Sequence, residues 1–124
     1  MKILVVDDSR IMRTIVKNSL LQNNSALYSF LEADNGVDAF NILEREHVDL
    51  LLVDWNMPHL NGLDLVKELR ILPKYKNLPI IMITSEAAKY NVIEAVKAGV
   101  NDYLVKPVDD KKLLLKIEQV MSIN

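Results

Sequence analysis

The sequence has 124 residues, of which 50% are hydrophobic and 26% are charged, and its formal net charge at pH 7 is −2. This composition is typical of one soluble globular domain, and the small negative charge does not indicate direct binding to nucleic acid. The absence of cysteine excludes disulfide bonds, thiolate metal sites and a cysteine nucleophile. Because no apolar run could cross a bilayer and the N-terminus lacks a signal peptide, we expect a cytoplasmic protein without membrane insertion.

Five short apolar runs alternate along the chain with segments of helical spacing. The runs cover residues 3–6, 28–31, 50–53, 79–83 and 103–105. Three of them are continuous, as expected for strands of a parallel sheet that is covered on both faces. The intervening segments carry apolar stripes that predict amphipathic helices. The stripes are Ile11, Met12, Ile15, Val16 and Leu20; Val37, Ala39, Phe40 and Leu43; Leu65, Val66 and Leu69; Val92, Ile93 and Val96; and Leu113, Leu114, Ile117, Val120 and Met121.

The alternation of strands and helices predicts an α/β fold made of five βα units. Right-handed crossovers place helices on both faces of a doubly wound parallel sheet, and five strands favour the flavodoxin-like order 2-1-3-4-5. Gly99 predicts the end of the fourth helix, and Asn35-Gly36 is interpreted as the entry to a helix. We expect residues 1–124 to form one domain. The polar stretch 22–29 receives no functional assignment.

Polar side chains follow four of the five predicted strands. They are Asp7 and Asp8 after strand 1, Asp54 after strand 3, Thr84 and Ser85 after strand 4, and Lys106 after strand 5. Taken singly, each has an ordinary structural explanation as a helix cap, a strand end or a solvated side chain. Because ligands of such sheets bind beyond the carboxyl ends of the strands, their joint placement predicts a site at that edge.

The charges of these residues indicate a ligand. Three crowded aspartates would repel one another, and a divalent cation such as Mg²⁺ relieves the repulsion through oxygen ligands. With Asp7, Asp8 and Asp54 at −3, Mg²⁺ and Lys106 at +3 balance the charge, so that Asp54 stays ionised as a nucleophile. A carboxylate nucleophile can accept a phosphoryl group, a transfer that needs mainly alignment and neutralised charge. Thr84 could donate a hydrogen bond to a phosphoryl oxygen.

Several motifs together resemble the receiver domains of two-component response regulators. They are VVDDS at 5–9, DWNMP at 54–58, NG at 61–62, MITS at 82–85 and VKP at 105–107. The resemblance covers essentially the whole chain and fits the five-unit layout. Within the family, segments 54–58 and 86–106 look most like those of single-domain chemotaxis regulators.

The resemblance implies a role for each polar residue at the edge of the sheet. Asp54 would take a phosphoryl group from a histidine kinase, and Mg²⁺ would be held by Asp7, Asp8, Asp54 and the backbone carbonyl of Asn56. Lys106 would pair with the phosphoryl group, and its peptide bond to Pro107 would be cis. Thr84 and Tyr103 would switch conformation, Tyr103 moving from an outward to an inward rotamer. Asn56 and Glu86 would tune dephosphorylation.

The resemblance also implies an output surface formed by helix 4, strand 5 and helix 5. Lys89, Tyr90, Tyr103, Lys111 and Lys112 lie in these elements, although the two lysines of helix 5 are equally well explained as a solvated helix end. The downstream target would be a protein, in its most natural form a flagellar motor switch protein. A monomer is expected, with dimerisation on activation left open. Trp55 is interpreted either as a site wall or as a partly buried core residue.

Three alternative functions share parts of this pattern. The chain could be a receiver excised from a transcription factor or hybrid histidine kinase, in which case the switch chemistry is the same. An FMN-binding flavodoxin would need a Ser/Thr/Gly-rich loop after strand 1, where Asp7 and Asp8 would instead repel a phosphate. An aspartate-dependent phosphatase would typically carry Asp-x-Asp there. We therefore predict a signalling switch that assists its own phosphorylation and dephosphorylation, not an enzyme acting on a separate substrate.

Overall fold

Strands and helices alternate along the whole described chain. The computed structural model describes residues 1–24 and 27–122, so the polar stretch 22–29 lies partly outside the described residues. The elements are β1 Lys2–Val6, α1 Arg10–Asn24, β2 Ser29–Ala33, α2 Gly36–Arg45, β3 Leu50–Val53, α3 Gly62–Ile71, β4 Ile80–Thr84, α4 Lys89–Ala98, β5 Asp102–Val105 and α5 Asp110–Ser122. Each predicted strand and helix is present. A 3₁₀ turn at Pro73–Tyr75 was not predicted.

The five strands form one parallel sheet in the order β2-β1-β3-β4-β5, which confirms the predicted topology. The register pairs Val6 with both Ala33 and Val53, and Thr84 with Val105. The carboxyl ends of the strands therefore meet at one edge of the sheet, where the next residues of the chain form the candidate site.

Two hydrophobic clusters cover the two faces of the sheet. Along β1, Ile3 and Val5 belong to the cluster that includes α1 and α5, whereas Leu4 and Val6 belong to the cluster that includes α2, α3 and α4. This alternation explains the continuous apolar runs, since both faces of a central strand are buried. Each buried Leu, Ile or Val contributes roughly 1.5–3 kcal/mol to folding.

Some residues of the apolar stripes face solvent instead of the core. In α1, Val16 and Leu20 are buried, but Ile11 is 73% exposed. In α4, Ala95 is buried, whereas Ile93 and Val96 are exposed. A helix lying on a sheet buries only a narrow stripe, so a wider apolar band leaves residues at the surface. None of the helices in the described part of the chain has the length and hydrophobicity needed to span a membrane.

Candidate functional site

Backbone hydrogen bonds extend the sheet by one residue and fix the polar residues that follow the strands. The N–H of Asp7 donates to the carbonyl of Ala33 at 3.2 Å, and the N–H of Asp54 donates to the carbonyl of Val6 at 2.9 Å. At the other side of the site, the N–H of Lys106 donates to the carbonyl of Thr84 at 2.9 Å. The residues predicted from the strand ends therefore sit on backbone that is hydrogen-bonded directly to the sheet.

Three carboxylates converge at this edge. One oxygen each from Asp7, Asp8 and Asp54 lies within 4.8 Å of the others. The side chains of Asp7 and Asp54 are each only 8% exposed, whereas Asp8 is exposed to solvent. Desolvation raises the pKa of Asp8, and the neighbouring charges of Asp7 and Asp54 raise it further. The three carboxylates thus repel one another when all of them are ionised.

Lys106 compensates part of this charge. Its Nζ lies 2.8 Å from Asp7 Oδ2 and 3.3 Å from Asp54 Oδ2. Burial acts to lower the pKa of Lys106, but the hydrogen bond to Asp7 and the charge of Asp54 outweigh burial, so the pKa is raised overall. Three carboxylates and one ammonium leave a formal charge of −2. That charge and the all-oxygen donor set fit Mg²⁺, with the exposed Asp8 on the open side.

The hydrogen bonds of Asp54 and Asp7 orient their carboxylates. The Trp55 N–H donates to Asp54 Oδ1 at 2.7 Å, which leaves Oδ2 facing Lys106. The Ser9 N–H donates to Asp7 Oδ1 at 2.9 Å. The guanidinium of Arg13 donates to the carbonyl of Asp7 at 2.7 Å and also bonds Glu32. Arg13 was not predicted from the sequence, since its partners become neighbours only in the folded sheet.

A second group of polar residues lies beside the carboxylates. Thr84 is fully buried, and its Oγ1 accepts a hydrogen bond of 3.4 Å from the Glu86 N–H. The Tyr103 hydroxyl donates to the Glu86 carbonyl at 2.5 Å, so the ring points inward. Desolvation, with the charges of Glu86 and Asp54, raises the pKa of Tyr103 to about 12. The Lys106–Pro107 peptide bond is cis.

The carboxylate of Glu86 connects two segments. Its Oε1 accepts from Asn56 Nδ2 at 2.8 Å, and its Oε2 accepts from Asn91 Nδ2 at 3.3 Å. Asn56 and Glu86 were each predicted to tune dephosphorylation, whereas Asn91 was not predicted. No local signal marks Asn91, which lies in an ordinary first helical turn.

The remaining predicted residues are placed less centrally. Trp55 is half-buried next to Asp54 and packs against the core, so the two interpretations made from the sequence are not exclusive. Lys89, Tyr90, Lys111 and Lys112 are exposed on α4 and α5.

The charge of the cluster predicts how Asp8→Asn will change stability. In Mg²⁺-free buffer at neutral pH we expect the variant to be more stable than the wild type by about 1 kcal/mol, a value kept small because Asp8 is exposed. Folding raises the pKa of Asp8 above its ordinary value of 3.8. The destabilising repulsion is therefore absent below pH 3.8, where Asp8 is protonated in both the folded and the unfolded state, and complete above the pKa of the folded state. The difference between the variant and the wild type should therefore vanish on acidification.

Urea denaturation with and without Mg²⁺ measures this effect. Mg²⁺ should stabilise the wild type much more than Asp8→Asn, and Asp64→Asn, which changes an exposed carboxylate of α3, should behave as the wild type. A destabilised Asp8→Asn variant in Mg²⁺-free buffer would contradict the inferred repulsion.

Comparisons with known proteins agree with the fold. Residues 3–118 match the family model of the response regulator receiver domain. The chain is 50% identical to a chemotaxis protein CheY homolog of Campylobacter jejuni, over 98% of this chain and 93% of that protein. It is 49% identical to chemotaxis protein CheY1 of Helicobacter pylori, over 100% and 99%. Among solved structures, the chemotaxis response regulator CheY4 of Vibrio cholerae superposes with a TM-score of 0.85, at 32% identity over 96% of this chain and 97% of that chain.

Proposed function

The chain belongs to the response regulator receiver domain family, in which it is a signalling switch of the CheY type, and we propose that Asp54 is its phosphoacceptor. In this proposal a histidine kinase supplies the phosphoryl group and the reaction depends on Mg²⁺. The observation that carries the proposal is the convergence of Asp54, two further carboxylates and Lys106 at the carboxyl edge of the sheet.

The chemistry follows from the positions of these groups. A carboxylate oxygen of Asp54 attacks the phosphorus, the P–N bond to the kinase histidine breaks, and the histidine nitrogen keeps the electron pair. Lys106, already 3.3 Å from Asp54 Oδ2, offsets the charge that gathers on the phosphoryl oxygens. Mg²⁺ held by Asp7, Asp8, Asp54 and the carbonyl of Asn56 would supply further neutralisation. The protein thus contributes mainly alignment and charge compensation.

The response to phosphorylation would depend on conformational changes of Thr84 and Tyr103. A phosphate brings more negative charge than the carboxylate it replaces, together with strong acceptor oxygens. The Thr84 hydroxyl would turn toward these oxygens, away from its long contact with the Glu86 N–H. The inward position of Tyr103, which is bonded to the Glu86 carbonyl, is the rotamer that this shift would favour. The phosphorylated protein would therefore populate one of two conformations more strongly.

The output surface would lie on α4, β5 and α5. Tyr90, Ile93, Val96, Val105 and Leu115 are large hydrophobic residues that these elements expose, and exposed apolar residues on such a surface suit a protein partner. Because the relatives named above are chemotaxis proteins, we propose a role in chemotaxis, with a flagellar motor switch protein as target, in the cytoplasm. A receiver from a longer regulator remains the alternative, and the length of the reading frame distinguishes the two.

The fluorescence of Trp55 tests the phosphoacceptor, because Trp55 directly follows Asp54 in the chain and its backbone N–H donates to the Asp54 carboxylate. We expect a saturable change with Mg²⁺ and a second change when a small acyl phosphate is added. Asp54→Asn should lose the second change, and intact mass should find a phosphoryl adduct on the wild type only.

The control is an Asp-to-Asn substitution at an exposed position of α3, away from the site. Asp64→Asn should respond to Mg²⁺ and to the phosphodonor as the wild type does. A wild type that takes no phosphoryl group, or an Asp54→Asn variant that still takes one, refutes the proposal. The first result would leave a binding module that keeps the fold without the switch.

A further inference from the structure

Glu86 connects several separate segments beside the site. Its carboxylate accepts from Asn56 in the β3–α3 loop and from Asn91 in α4. Its carbonyl accepts from Tyr103 in β5, and its N–H reaches Thr84 at the end of β4. The position of the Glu86 side chain is therefore set by two amides that approach it from separate segments.

The first turn of helix α4 lacks the usual polar features of a helix start, although Val92 packs against the core of the sheet. Ala88, which precedes the helix, offers no side-chain cap, and the first turn carries no acidic residue. Ala95, in the following turns, is the buried residue of this helix. Asn91, at the third helical position, instead directs its amide back to Glu86. The same hydrogen bond thus holds the Glu86 carboxylate and ties the start of α4 to the site.

We propose that Asn91 is a positioning residue that slows the hydrolysis of phosphorylated Asp54, an inference that rests on the proposed function. The chain Asn56–Glu86–Asn91 bridges the β3–α3 loop and α4 next to Asp54 and Thr84. With both carboxylate oxygens bonded, Glu86 stays in place and restricts the approach of water. Without Asn91, Glu86 keeps only the exposed bond to Asn56 and can swing away.

The step that Asn91 would influence is an ordinary hydrolysis. The oxygen of a water molecule attacks the phosphorus, the bond between phosphorus and the Asp54 oxygen breaks, and Asp54 returns as a carboxylate. Inorganic phosphate leaves with the water oxygen, and the released proton goes to solvent. Asn91 contacts none of the reacting atoms, so its effect must pass through Glu86.

The test compares dephosphorylation rates of variants that were phosphorylated with a small acyl phosphate and then freed from the donor. We expect Asn91→Ala to hydrolyse about threefold faster, which corresponds to about 0.6 kcal/mol and lies at the lower end of what one hydrogen bond contributes, because this bond is 3.3 Å long. Asn91→Asp should also be faster, because it removes the donor and repels Glu86, although an acidic residue in the first turn favours the helix. Asn41→Ala, on the exposed surface of α2, should match the wild type.

A double-mutant cycle separates positioning from a general structural effect. In a Glu86→Ala background, Asn91→Ala should change the rate by less than about 1.5-fold, and Mg²⁺ affinity measured by Trp55 fluorescence should be unchanged in Asn91→Ala and Asn41→Ala. If both Asn91 variants dephosphorylate at the wild-type rate, or if Asn91→Ala has the same effect with and without Glu86, this inference is wrong while the proposed function still stands. A wild type that takes no phosphoryl group overturns the proposed function and this inference together.

Discussion

Gly62→Ala should destabilise the protein by about 3 kcal/mol, because a β-carbon at this position has no space. Built on the backbone, that carbon would lie 1.9 Å from the carbonyl oxygen of Asp54 and 3.2 Å from the Cα of Trp55. Both neighbours are backbone, so no change of rotamer can relieve the overlap. The N–H of Gly62 also donates to the carbonyl of Trp55 at 2.8 Å, which holds the two segments together.

The substitution should also damage the site, since the displaced atoms belong to Asp54 itself. We expect weaker Mg²⁺ binding and slower phosphorylation at a temperature where the variant is still folded. Thermal unfolding together with a Mg²⁺ titration measures both effects, and Lys67→Ala on the exposed face of the same helix serves as the control. A Gly62→Ala variant with the melting temperature and Mg²⁺ affinity of the wild type would show that the Asp54 loop can move freely.

The doubly wound fold could be predicted from the sequence because two independent signals agree, and the strand order was then the one that five such strands favour. The continuous apolar strands require cover on both faces, and the helical stripes between them supply it. Which side of each stripe is buried could not be predicted. Ile11 and Val16 both belong to the α1 stripe, yet only Val16 is buried, because burial depends on how the helix is rotated against the sheet.

The parts of the site that follow strands were predictable, whereas supporting contacts from distant residues were not. Asp54 and Lys106 follow strands directly, so the topology alone places them at one edge. Arg13 and Asn91 lie within helices and look like surface residues until their partners are known. Arg70 is similar: its guanidinium donates to the carbonyl groups of Gly99 and Tyr75. Contacts of this kind arise only from tertiary packing and leave no periodic pattern.

Lys106→Met should lose about 3 kcal/mol of stability in Mg²⁺-free buffer at neutral pH. The ammonium lies between Asp7 and Asp54, whose side chains are each 8% exposed. Removing one partner of a buried ion pair leaves the other charges uncompensated, which typically costs about 3–5 kcal/mol. Methionine keeps most of the length of the side chain, so lost packing contributes little. Urea denaturation in the presence of a chelator measures the change.

The same variant should bind Mg²⁺ more tightly while responding less to phosphorylation. Without the ammonium, the cluster changes from −2 to −3 and attracts an incoming cation more strongly, so Trp55 fluorescence should saturate at lower Mg²⁺ concentration. The phosphoryl group, however, loses the cation that Lys106 would offer, and the shift of Thr84 and Tyr103 should weaken.

Lys116→Met breaks an ion pair with Asp102 outside the site and should change stability by less than about 1 kcal/mol, without altering Mg²⁺ affinity. If Lys106→Met and the wild type bind Mg²⁺ with the same affinity, the charge of Lys106 does not act on the metal site.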